Sequence, residues 1–273
     1  MISLKVLVED TGSEHKALRS EHGLSLYVDL PSMTLLFDCG ATGLAFENAP
    51  LMHADLSKID AVVISHSHYD HAGGFPKLLS HVKPRTLYTG EGFWDEKFGV
   101  SDGGLKYTYL GAGFGADDVL RWGVRHVVCT DTLELSPEAW LMSGFRRTHD
   151  FETIPARFVC GNDHHADDFR DEVCLVLREG DGVAVVTGCS HPGILNIVET
   201  VHERLGLPVT SVVGGTHLME ASDERIDRTL AELQGMGMHR MALCHCSGEA
   251  VRKRLSKMGG RGCPLGTGDM LYF

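Results

Sequence analysis

A cluster of histidines directly after an apolar run constrains this chain more than any other feature. The run AVVI (residues 61–64) is typical of a buried strand, and it leads straight into SHSHYDHAGG. His66 and His68 alternate, so an extended backbone points both imidazoles to the same side, and Asp70 continues that alternation if the chain stays extended. His71 breaks the alternation and must reach the same place through a turn, for which the two glycines that follow supply the freedom.

The arrangement of these histidines carries the prediction, because the chain contains 16 histidines and any single one has little weight. Imidazole and carboxylate ligands together suit zinc, iron or manganese. Two histidines on one side and an Asp–His pair on the other could serve two adjacent metal ions. A solvated loop, or core histidines bonded to the backbone, is the alternative that this spacing disfavours. The segment therefore predicts a metal site.

Charge and composition argue against several classes of partner. The net charge is −12 with neutral histidines, and no run of Lys or Arg offers a phosphate groove, so neither nucleic acid nor a nuclease activity is expected. No apolar run approaches the roughly 20 residues that span a bilayer, and the N-terminal segment is too soon charged for a secretory signal. The eight cysteines are expected to be reduced thiols in a cytoplasmic protein. A small-molecule substrate fits these features, and self-association into a homo-oligomer is left open.

The order of predicted elements indicates a layered α/β protein. The first 65 residues are β-rich, and the later part alternates strands with helices. The clearest units are a hairpin around EGDG (179–182), a helix from Ile194, and an amphipathic helix over 226–233 capped by Ser222. No repeat or linker divides the chain, so we expect one domain over residues 1–273. The Gly-rich stretch 91–123 could be a lid or an insertion over the site.

The segment HSHYDHAGG resembles the HxHxDH signature of the metallo-β-lactamase fold superfamily. LLFDCG (35–40) resembles the strand that in this superfamily ends in Asp-x-Gly before the metal loop. The segments EHGLSLYVD, GCSHPGILNIVE, VVGGTHL and CHCSG are similar to the branch that contains 7,8-dihydropterin-6-methyl-4-(β-D-ribofuranosyl)aminobenzene-5'-phosphate synthase. The resemblance covers nearly the whole chain and implies a four-layer αββα sandwich, with the metal site between the sheet edges.

The resemblance also implies two metal ions and a ligand set for each. The expected ligands are His66, His68 and His191 for the first ion, and Asp70, His71 and His245 for the second. His191 lies at a strand-to-helix junction, and its rival by chain order is His149. In CHC (244–246), strand alternation would put the thiols on one face and the imidazole on the other. The superfamily's last ligand is a histidine after a late strand, so we expect His245 to ligate and the thiols to pack.

The sequence departs from the common pattern at Cys189. Most members of the superfamily place an Asp at the end of this late strand, where it bridges the metals. A thiolate can ligate zinc or iron, but a buried neutral Cys is a common core residue, so both readings stay open. His217 could contact a metal or the substrate. Glu21 and His22 are expected to order the site, and residues 162–172 to form a solvated loop.

The function that follows is chemistry assisted by two divalent ions, expected to be zinc, with iron or manganese as alternatives. Such ions lower the pKa of a bound water and clamp an oxyanion, and Asp70 is the expected catalytic residue that positions the hydroxide. No organic cofactor is expected. The resemblance implies a metal-dependent hydrolase that acts on a small phosphorylated or ester substrate, or a transferase reaction of the dihydropterin synthase type. The alternatives are a redox di-iron protein and a non-catalytic, metal-containing ligand-binding relative.

Overall fold

The computed structural model describes residues 1–273, apart from the side chain of residue 102. The strands, in chain order, are β1 (Ser3–Val8), β2 (Ser25–Asp29), β3 (Thr34–Phe37), β4 (Ala61–Val63), β5 (Thr86–Gly90), β6 (Lys97–Ser101), β7 (Lys106–Tyr109), β8 (Arg125–Cys129), β9 (Thr132–Ser136), β10 (Ala139–Met142), β11 (Phe158–Cys160), β12 (His165–Ala166), β13 (Cys174–Glu179), β14 (Gly182–Thr187), β15 (Val209–Gly214), β16 (Arg240–Leu243) and β17 (Met270–Tyr272). The helices are α1 (Leu44–Asn48), α2 (Tyr69–Ala72), α3 (Phe75–Leu78), α4 (Ala116–Trp122), α5 (Ile194–Leu205), α6 (Asp223–Gly235) and α7 (Gly248–Leu255).

Within the part of the chain that the structure describes, the strands form two large mixed sheets and one small sheet. The first has the order β17-β1-β2-β3-β4-β5-β8, and the second has the order β16-β15-β14-β13-β10-β9. Strands β3, β4, β5 and β8 are parallel in the first sheet, as are β14, β15 and β16 in the second. The small sheet has the order β12-β11-β6-β7.

Apolar side chains fill the spaces between these layers. Val63 of the first large sheet and Val186 of the second belong to one core between the two sheets. Phe75 of α3 belongs to a cluster on the outer face of the first sheet. Ile197 of α5 and Leu230 of α6 belong to a cluster on the outer face of the second. The order helix, sheet, sheet, helix confirms the four-layer αββα sandwich predicted from the sequence.

The burial of each element follows from its layer. Strands β3, β4 and β14 are buried at every position, because both of their faces are covered, so their sequences are near-continuous apolar runs. By contrast, β7, at the edge of the small sheet, is exposed throughout. The predicted cap of α6 is confirmed, since the hydroxyl of Ser222 accepts a hydrogen bond from the backbone nitrogen of Arg225 at 3.2 Å.

The Gly-rich stretch 91–123 contributes β6, β7 and α4. Strand β6 pairs with β11, and the carbonyl of Leu110 accepts a hydrogen bond from the backbone nitrogen of Tyr69 at 2.8 Å. These contacts tie the stretch to β11 and to the start of α2, and its role as a lid or insertion stays a prediction. Among the described residues, no helix is long and apolar enough to cross a membrane.

Candidate metal centre

The loop after β4 and the loop after β14 meet where the two large sheets come together. Gly188 permits this approach, because a Cβ at that position would lie 2.0 Å from Ser65 Oγ and 3.1 Å from Asp38 Oδ2. Gly215, directly after β15, also permits a close approach, because a Cβ there would lie 2.2 Å from the carbonyl oxygen of Gly188. The ends of these strands therefore bring side chains from distant parts of the sequence into one buried cluster.

The histidine motif enters this cluster through an extended segment followed by a helix. The backbone stays extended at His68, with φ −65° and ψ 146°, and then turns into α2, which carries Asp70 and His71. The chain turns at residues 73–74 as predicted, but their φ angles of −60° and −74° are open to any residue type. The glycines are required for space, because a Cβ on either would lie 2.5 Å or less from a backbone oxygen of residues 39–41.

His66, His68 and His191 form the first group of imidazoles. Their ring centroids lie 4.7, 5.0 and 5.3 Å apart, and all three side chains are buried. Among the described residues, no hydrogen-bond partner reaches the Nε2 atom of any of the three. Leaving a buried polar atom unpartnered costs about 1–3 kcal/mol, so three such atoms in one place indicate that they bind something. A metal ion fits nitrogen lone pairs that converge in this way.

The surroundings keep these rings neutral and fixed. Burial lowers the pKa of His68 to about 3, and it lowers the pKa of His66 and His191 well below the usual value. A neutral imidazole is the form that ligates metals. The ring of His191 stacks on Phe169 with centroids 3.7 Å apart, and its backbone nitrogen donates to Glu172 Oε2 at 2.9 Å.

His71, His245 and Asp70 form the second group. The Nε2 atoms of the two histidines lie 3.1 Å apart, and Asp70 Oδ2 lies 3.5 Å from the first and 3.4 Å from the second. The other nitrogen of each ring faces a carboxylate: His71 Nδ1 lies 2.7 Å from Asp38 Oδ2, and His245 Nδ1 lies 2.6 Å from Asp10 Oδ1. Carboxylates in this position orient ligating histidines and fix their tautomer.

Cys189 lies between the two groups. Its Sγ atom is 3.3 Å from His71 Nε2, and the thiol is buried. It lies within 4.8 Å of ligand atoms of His66 and His191, and equally of His71 and His245. Burial raises the pKa of this thiol well above its usual value, and the neighbouring Cys246 adds to the shift.

The segment CHC does not continue the strand before it. Strand β16 ends at Leu243, and His245, with φ 52°, begins a 3₁₀ helix over His245–Ser247. His245 and Cys246 therefore both line the cavity at the cluster, while Cys244 packs into the core between the sheets. The packing role predicted for Cys244 is confirmed, whereas the predicted separation of Cys246 from His245 on opposite faces is wrong.

Two buried carboxylates hold the backbone of the histidine motif. No role was predicted for either of them from the sequence. Asp38 accepts hydrogen bonds from the backbone nitrogen of Ser65 at 2.7 Å and from its hydroxyl at 2.9 Å. Asp171 accepts from the backbone nitrogen of Ser67 at 2.8 Å and pairs with the buried Lys97 at 3.0 Å. The available signal for Asp38 was its place in LLFDCG, directly at the end of a buried strand.

The prediction of a solvated loop over 162–172 is wrong for the second half of that segment. Asp167, Asp171 and Glu172 are 4%, 1% and 1% exposed. Glu172 accepts hydrogen bonds from the backbone nitrogens of Ser190 and His191, so it shapes the loop after β14. The position of these acids directly before β13 was the signal available in the sequence.

The remaining candidates lie as follows. The ring of His217 is 4.3 Å from that of His191, and burial lowers the pKa of His217 to about 4. His22 Nδ1 lies 2.8 Å from Asp10 Oδ2, which is a contact expected of a residue that orders the site. His149 lies away from the cluster, with Nε2 2.8 Å from a carboxylate oxygen of Glu199 on α5.

A cavity of about 180 Å³ opens onto both groups. Arg157 lines it and is held by Glu220, whose Oε2 accepts a hydrogen bond from Nε at 3.2 Å. The guanidinium also lies 4.0 Å from the centroid of the Phe158 ring. Leu110, from the stretch 91–123, and Tyr69, which is half-exposed, complete the rim.

Several known proteins are similar to this chain in sequence. Residues 21–93 match the sequence profile of the metallo-β-lactamase superfamily. The chain is 27% identical to 7,8-dihydropterin-6-methyl-4-(β-D-ribofuranosyl)-aminobenzene-5'-phosphate synthase of Methanocaldococcus jannaschii, over 90% of this chain and 88% of that protein. An uncharacterized protein of the same organism is 24% identical over 93% of this chain and 94% of its own length.

Solved structures show the same relationship in three dimensions. The crystal structure of Tm1679, a metal-dependent hydrolase of the β-lactamase superfamily, matches with a TM-score of 0.82 and 27% identity, and covers 100% of this chain and 99% of that one. A diphosphatase of the PhnP family shares the fold at a TM-score of 0.57 and 15% identity, over 100% of this chain and 97% of its own. The resemblance predicted from the sequence is confirmed: the chain has the metallo-β-lactamase fold, and over 90% of its length it is similar to 7,8-dihydropterin-6-methyl-4-(β-D-ribofuranosyl)-aminobenzene-5'-phosphate synthase.

Proposed function

We propose that this chain is an enzyme that uses two adjacent metal ions to act on a small phosphorylated or ester substrate. The observation that carries the proposal is the convergence of buried imidazole nitrogens without a partner among the described residues. Zinc is the proposed ion, with iron or manganese as alternatives, because the donors are mainly imidazole nitrogens. The proposed ligands are His66, His68 and His191 at the first site, and Asp70, His71 and His245 at the second.

The facing rings of His71 and His245 support the second site. Each ring turns Nδ1 toward a carboxylate, so the two Nε2 atoms face each other, 3.1 Å apart, beside Asp70. A cation at this point would contact both Nε2 atoms and the carboxylate. The carboxylate of Asp70 adds negative charge beside both, and the two imidazoles outweigh burial in holding its pKa well below the usual value.

The protein's own groups then supply orientation and a dry site. When bound, the ions would lower the pKa of a water and stabilise negative charge that develops on oxygen. Asp70, ionised at the cavity wall, would accept a hydrogen bond from the attacking nucleophile and position it. The rings of His191 and Phe169, stacked and buried, exclude bulk water from the first site.

The cavity supports a small anionic group as the part of the substrate that enters. Its volume of about 180 Å³ suits a phosphate or ester rather than a large ring system. Arg157 at the rim is held in place by Glu220 and Phe158 and offers a positive charge at the entrance. Tyr69, 40% exposed, lies where the rest of a substrate would leave the cavity.

A condensation of the dihydropterin synthase type is the second candidate. The observation in its favour is the similarity to a synthase of that name over 90% of this chain. Both reactions develop negative charge on oxygen, so the same donor set serves either. A redox di-iron protein is less well supported, because the proposed ligands are dominated by histidine rather than by carboxylates.

Metal analysis of the purified protein tests the site first. We expect two ions per chain in the wild type, and fewer in His66→Ala and in His191→Ala. His149→Ala is the matched control and should keep both ions, because its ring lies beside Glu199 and not in the cluster. Loss of metal in His149→Ala but not in His191→Ala would contradict the ligand assignment.

Activity assays with metal-replete protein test the reaction. A panel of phosphomonoesters, phosphodiesters and lactones is run beside condensation of a dihydropterin with ribofuranosylaminobenzene phosphate. Turnover on the panel that disappears in Asp70→Asn supports the hydrolase, and condensation alone supports the synthase. A metal-replete protein that turns over none of these substrates would favour a ligand-binding relative and count against an enzyme.

A further inference from the structure

We infer that a second cavity, apart from the metal centre, binds a small organic anion and that its occupancy affects the metal centre through Phe169. This cavity, here called the arginine cavity, has Arg147 and Arg170 in its wall and a volume of about 450 Å³. It shares none of its described lining residues with the cavity of about 180 Å³ at the metal centre. The binding site stands without the proposed function, whereas its effect on the metal centre rests on that function.

The arginine cavity lies at an edge of the sheets where ligands commonly bind. Glu91 directly follows β5, Thr130 directly follows β8, and Ser143 directly follows β10. Strands β4, β5 and β8 are parallel, so the cavity lies at the same carboxyl edge of the first sheet as the histidine motif after β4. Crevices outside the carboxyl ends of parallel strands are the usual ligand sites of open α/β sheets. The volume is also within the range of about 300–1,000 Å³ that small-molecule sites have.

Arg147 supplies a positive charge that the protein does not pair. Its guanidinium donates from Nη2 to the backbone carbonyl oxygen of Asp168 at 2.6 Å, which holds it in place. It forms no ion pair with any carboxylate among the described side chains. A guanidinium presents its N–H groups as a planar fork that matches a carboxylate or a phosphate. The N–H groups that the carbonyl leaves free are therefore available to an anion.

The rest of the wall indicates which anion fits. Arg170 adds a second positive charge, with Nε 3.5 Å from Asp168 Oδ1. The acids Glu91 and Asp168 also line the cavity, so a ligand with a single anionic group is favoured over a polyanion. Phe145 and Ile154 present half-buried apolar side chains. The wall therefore fits a compact organic molecule that carries one carboxylate or phosphate on an apolar body.

Phe169 contacts both the arginine cavity and the metal centre. It lines the cavity, and its ring stacks on that of His191 with centroids 3.7 Å apart and planes at 17°. Its φ of 51° is uncommon for a bulky residue. Asp167 holds this conformation, because its Oδ1 accepts a hydrogen bond from the backbone nitrogen of Phe169 at 2.8 Å. Backbone outliers of this kind concentrate at ligand clamps and switch regions, so the conformation of Phe169 supports a link between the two sites.

Two neighbours of His191 would contact the bound anion. Phe169 touches its ring, and Pro192 follows it in the chain and also lines the arginine cavity. A ligand that restrains both residues would restrain the imidazole of His191 in its ligating position, so zinc would bind more tightly. Coupling between two sites changes affinity by about 5–150-fold and acts equally in both directions. We expect a gain in zinc affinity of at least about fivefold when the arginine cavity is occupied.

Crystals soaked with brominated probes test the binding site directly, because bromine gives an anomalous signal. The probes are bromobenzoate, bromophenyl phosphate and the neutral bromobenzamide. We expect a bromine peak in the arginine cavity with one or both anions and none with the amide. A peak with one anion alone identifies the anionic group that the site prefers. No peak there with either anion, or an equal peak with the amide, would overturn the inference.

Isothermal titration shows whether the probe binds in solution. Arg147→Met should weaken binding of the anionic probe by at least about tenfold, because hydrogen bonds to a charged group are lost. Arg146→Met is the matched control and should keep the affinity, since Arg146 pairs with Glu203 outside the cavity. Arg147→Lys keeps the charge and should retain part of the affinity, which separates loss of the cation from misfolding. Binding at crystal concentration only, or equal weakening in both Met variants, would overturn the binding site.

Chelator competition, run with and without a saturating anionic probe, tests the link to the metal centre. The probe should raise the zinc affinity of the wild type, and this gain should disappear in Phe169→Leu although the probe still binds. An unchanged zinc affinity in the wild type, or a gain that persists in Arg147→Met, would overturn the link. A chain that binds no zinc would overturn the proposed function and the link, while the bromine peaks still decide the binding site.

Discussion

Asp38 contacts the ring of His71, a proposed ligand of the second metal ion, and orients it. Replacement of Asp38 by Asn tests that support. The carboxylate is fully buried and accepts hydrogen bonds from the backbone and hydroxyl of Ser65, at 2.7 and 2.9 Å. It also lies 2.7 Å from His71 Nδ1. Asn keeps the volume, but its NH₂ group can only donate, so it faces donors where the carboxylate oxygen accepted.

Two effects set the magnitude for Asp38→Asn. Hydrogen bonds to a charged group contribute about 1.5–3 kcal/mol each, so loss of one or two should lower the free energy of unfolding of the metal-free protein by about 1.5–6 kcal/mol. His71 also loses the partner that fixes its tautomer. Residues in this supporting position typically change metal affinity by about 10–100-fold, which corresponds to about 1.4–2.7 kcal/mol.

Competition with a chromophoric chelator measures the affinity, and urea denaturation after chelation measures the stability. Asp60→Asn is the matched control, because Asp60 Oδ2 accepts a hydrogen bond from the backbone nitrogen of Thr34 at 3.0 Å at the opposite end of β3. It should lower stability without changing metal affinity. An Asp38→Asn protein that binds zinc as tightly as the wild type would refute the reasoning.

Other perturbations test the packing around the site, each by urea denaturation of metal-free protein. Gly188→Ala should lower the free energy of unfolding by about 1–3 kcal/mol, because the added Cβ would overlap Ser65 Oγ. Gly235→Ala, whose added Cβ would meet open space, is the control and should not lower it. Equal effects of the two substitutions would contradict the packing argument. Lys97→Met should lower the free energy of unfolding by about 3–5 kcal/mol, because it leaves two buried aspartates without their cationic partner. A smaller loss than that caused by Lys5→Met would refute the pairing. The wild type should lose stability as the pH falls from about 6.5 toward 5, since burial lowers the pKa of His68 to about 3 and only the unfolded chain binds that proton in this range. The stability is present above the unfolded pKa and is lost below it, and a flat profile would contradict the burial argument.

Short-range patterns in the sequence were sufficient for the motif and the layers. The apolar run before His66 predicts a buried strand, and the alternation of His66 and His68 predicts rings on one side, as found. Continuous apolar strands and amphipathic helices likewise predict layers with covered faces. These properties are local, so they can be read without knowing which elements meet.

The supporting contacts could not be predicted because they join distant positions. Asp10 and His245 are 235 residues apart in the chain, and Asp38 and His71 are 33 apart. No local pattern records such a pairing. The prediction of a solvated loop over 162–172 failed for the same reason. Lys97, which pairs with the buried acids of this segment, comes from β6, more than sixty residues earlier.

The error at CHC has a conformational cause. Alternation holds only while the chain remains a strand, and β16 ends at Leu243. The positive φ of His245 then turns the imidazole and the thiol of Cys246 toward the same cavity. A positive φ is uncommon for a non-glycine residue, and it cannot be predicted from the residue types alone.

Anomalous diffraction from zinc-loaded crystals, collected on both sides of the zinc absorption edge, tests the central claim most directly. The account predicts two peaks in the cavity, each about 2.0–2.3 Å from its ligand atoms. One should lie against His66, His68 and His191, and the other against Asp70, His71 and His245. No peak in the cavity, or a peak held by His149 in place of His191, would contradict the account.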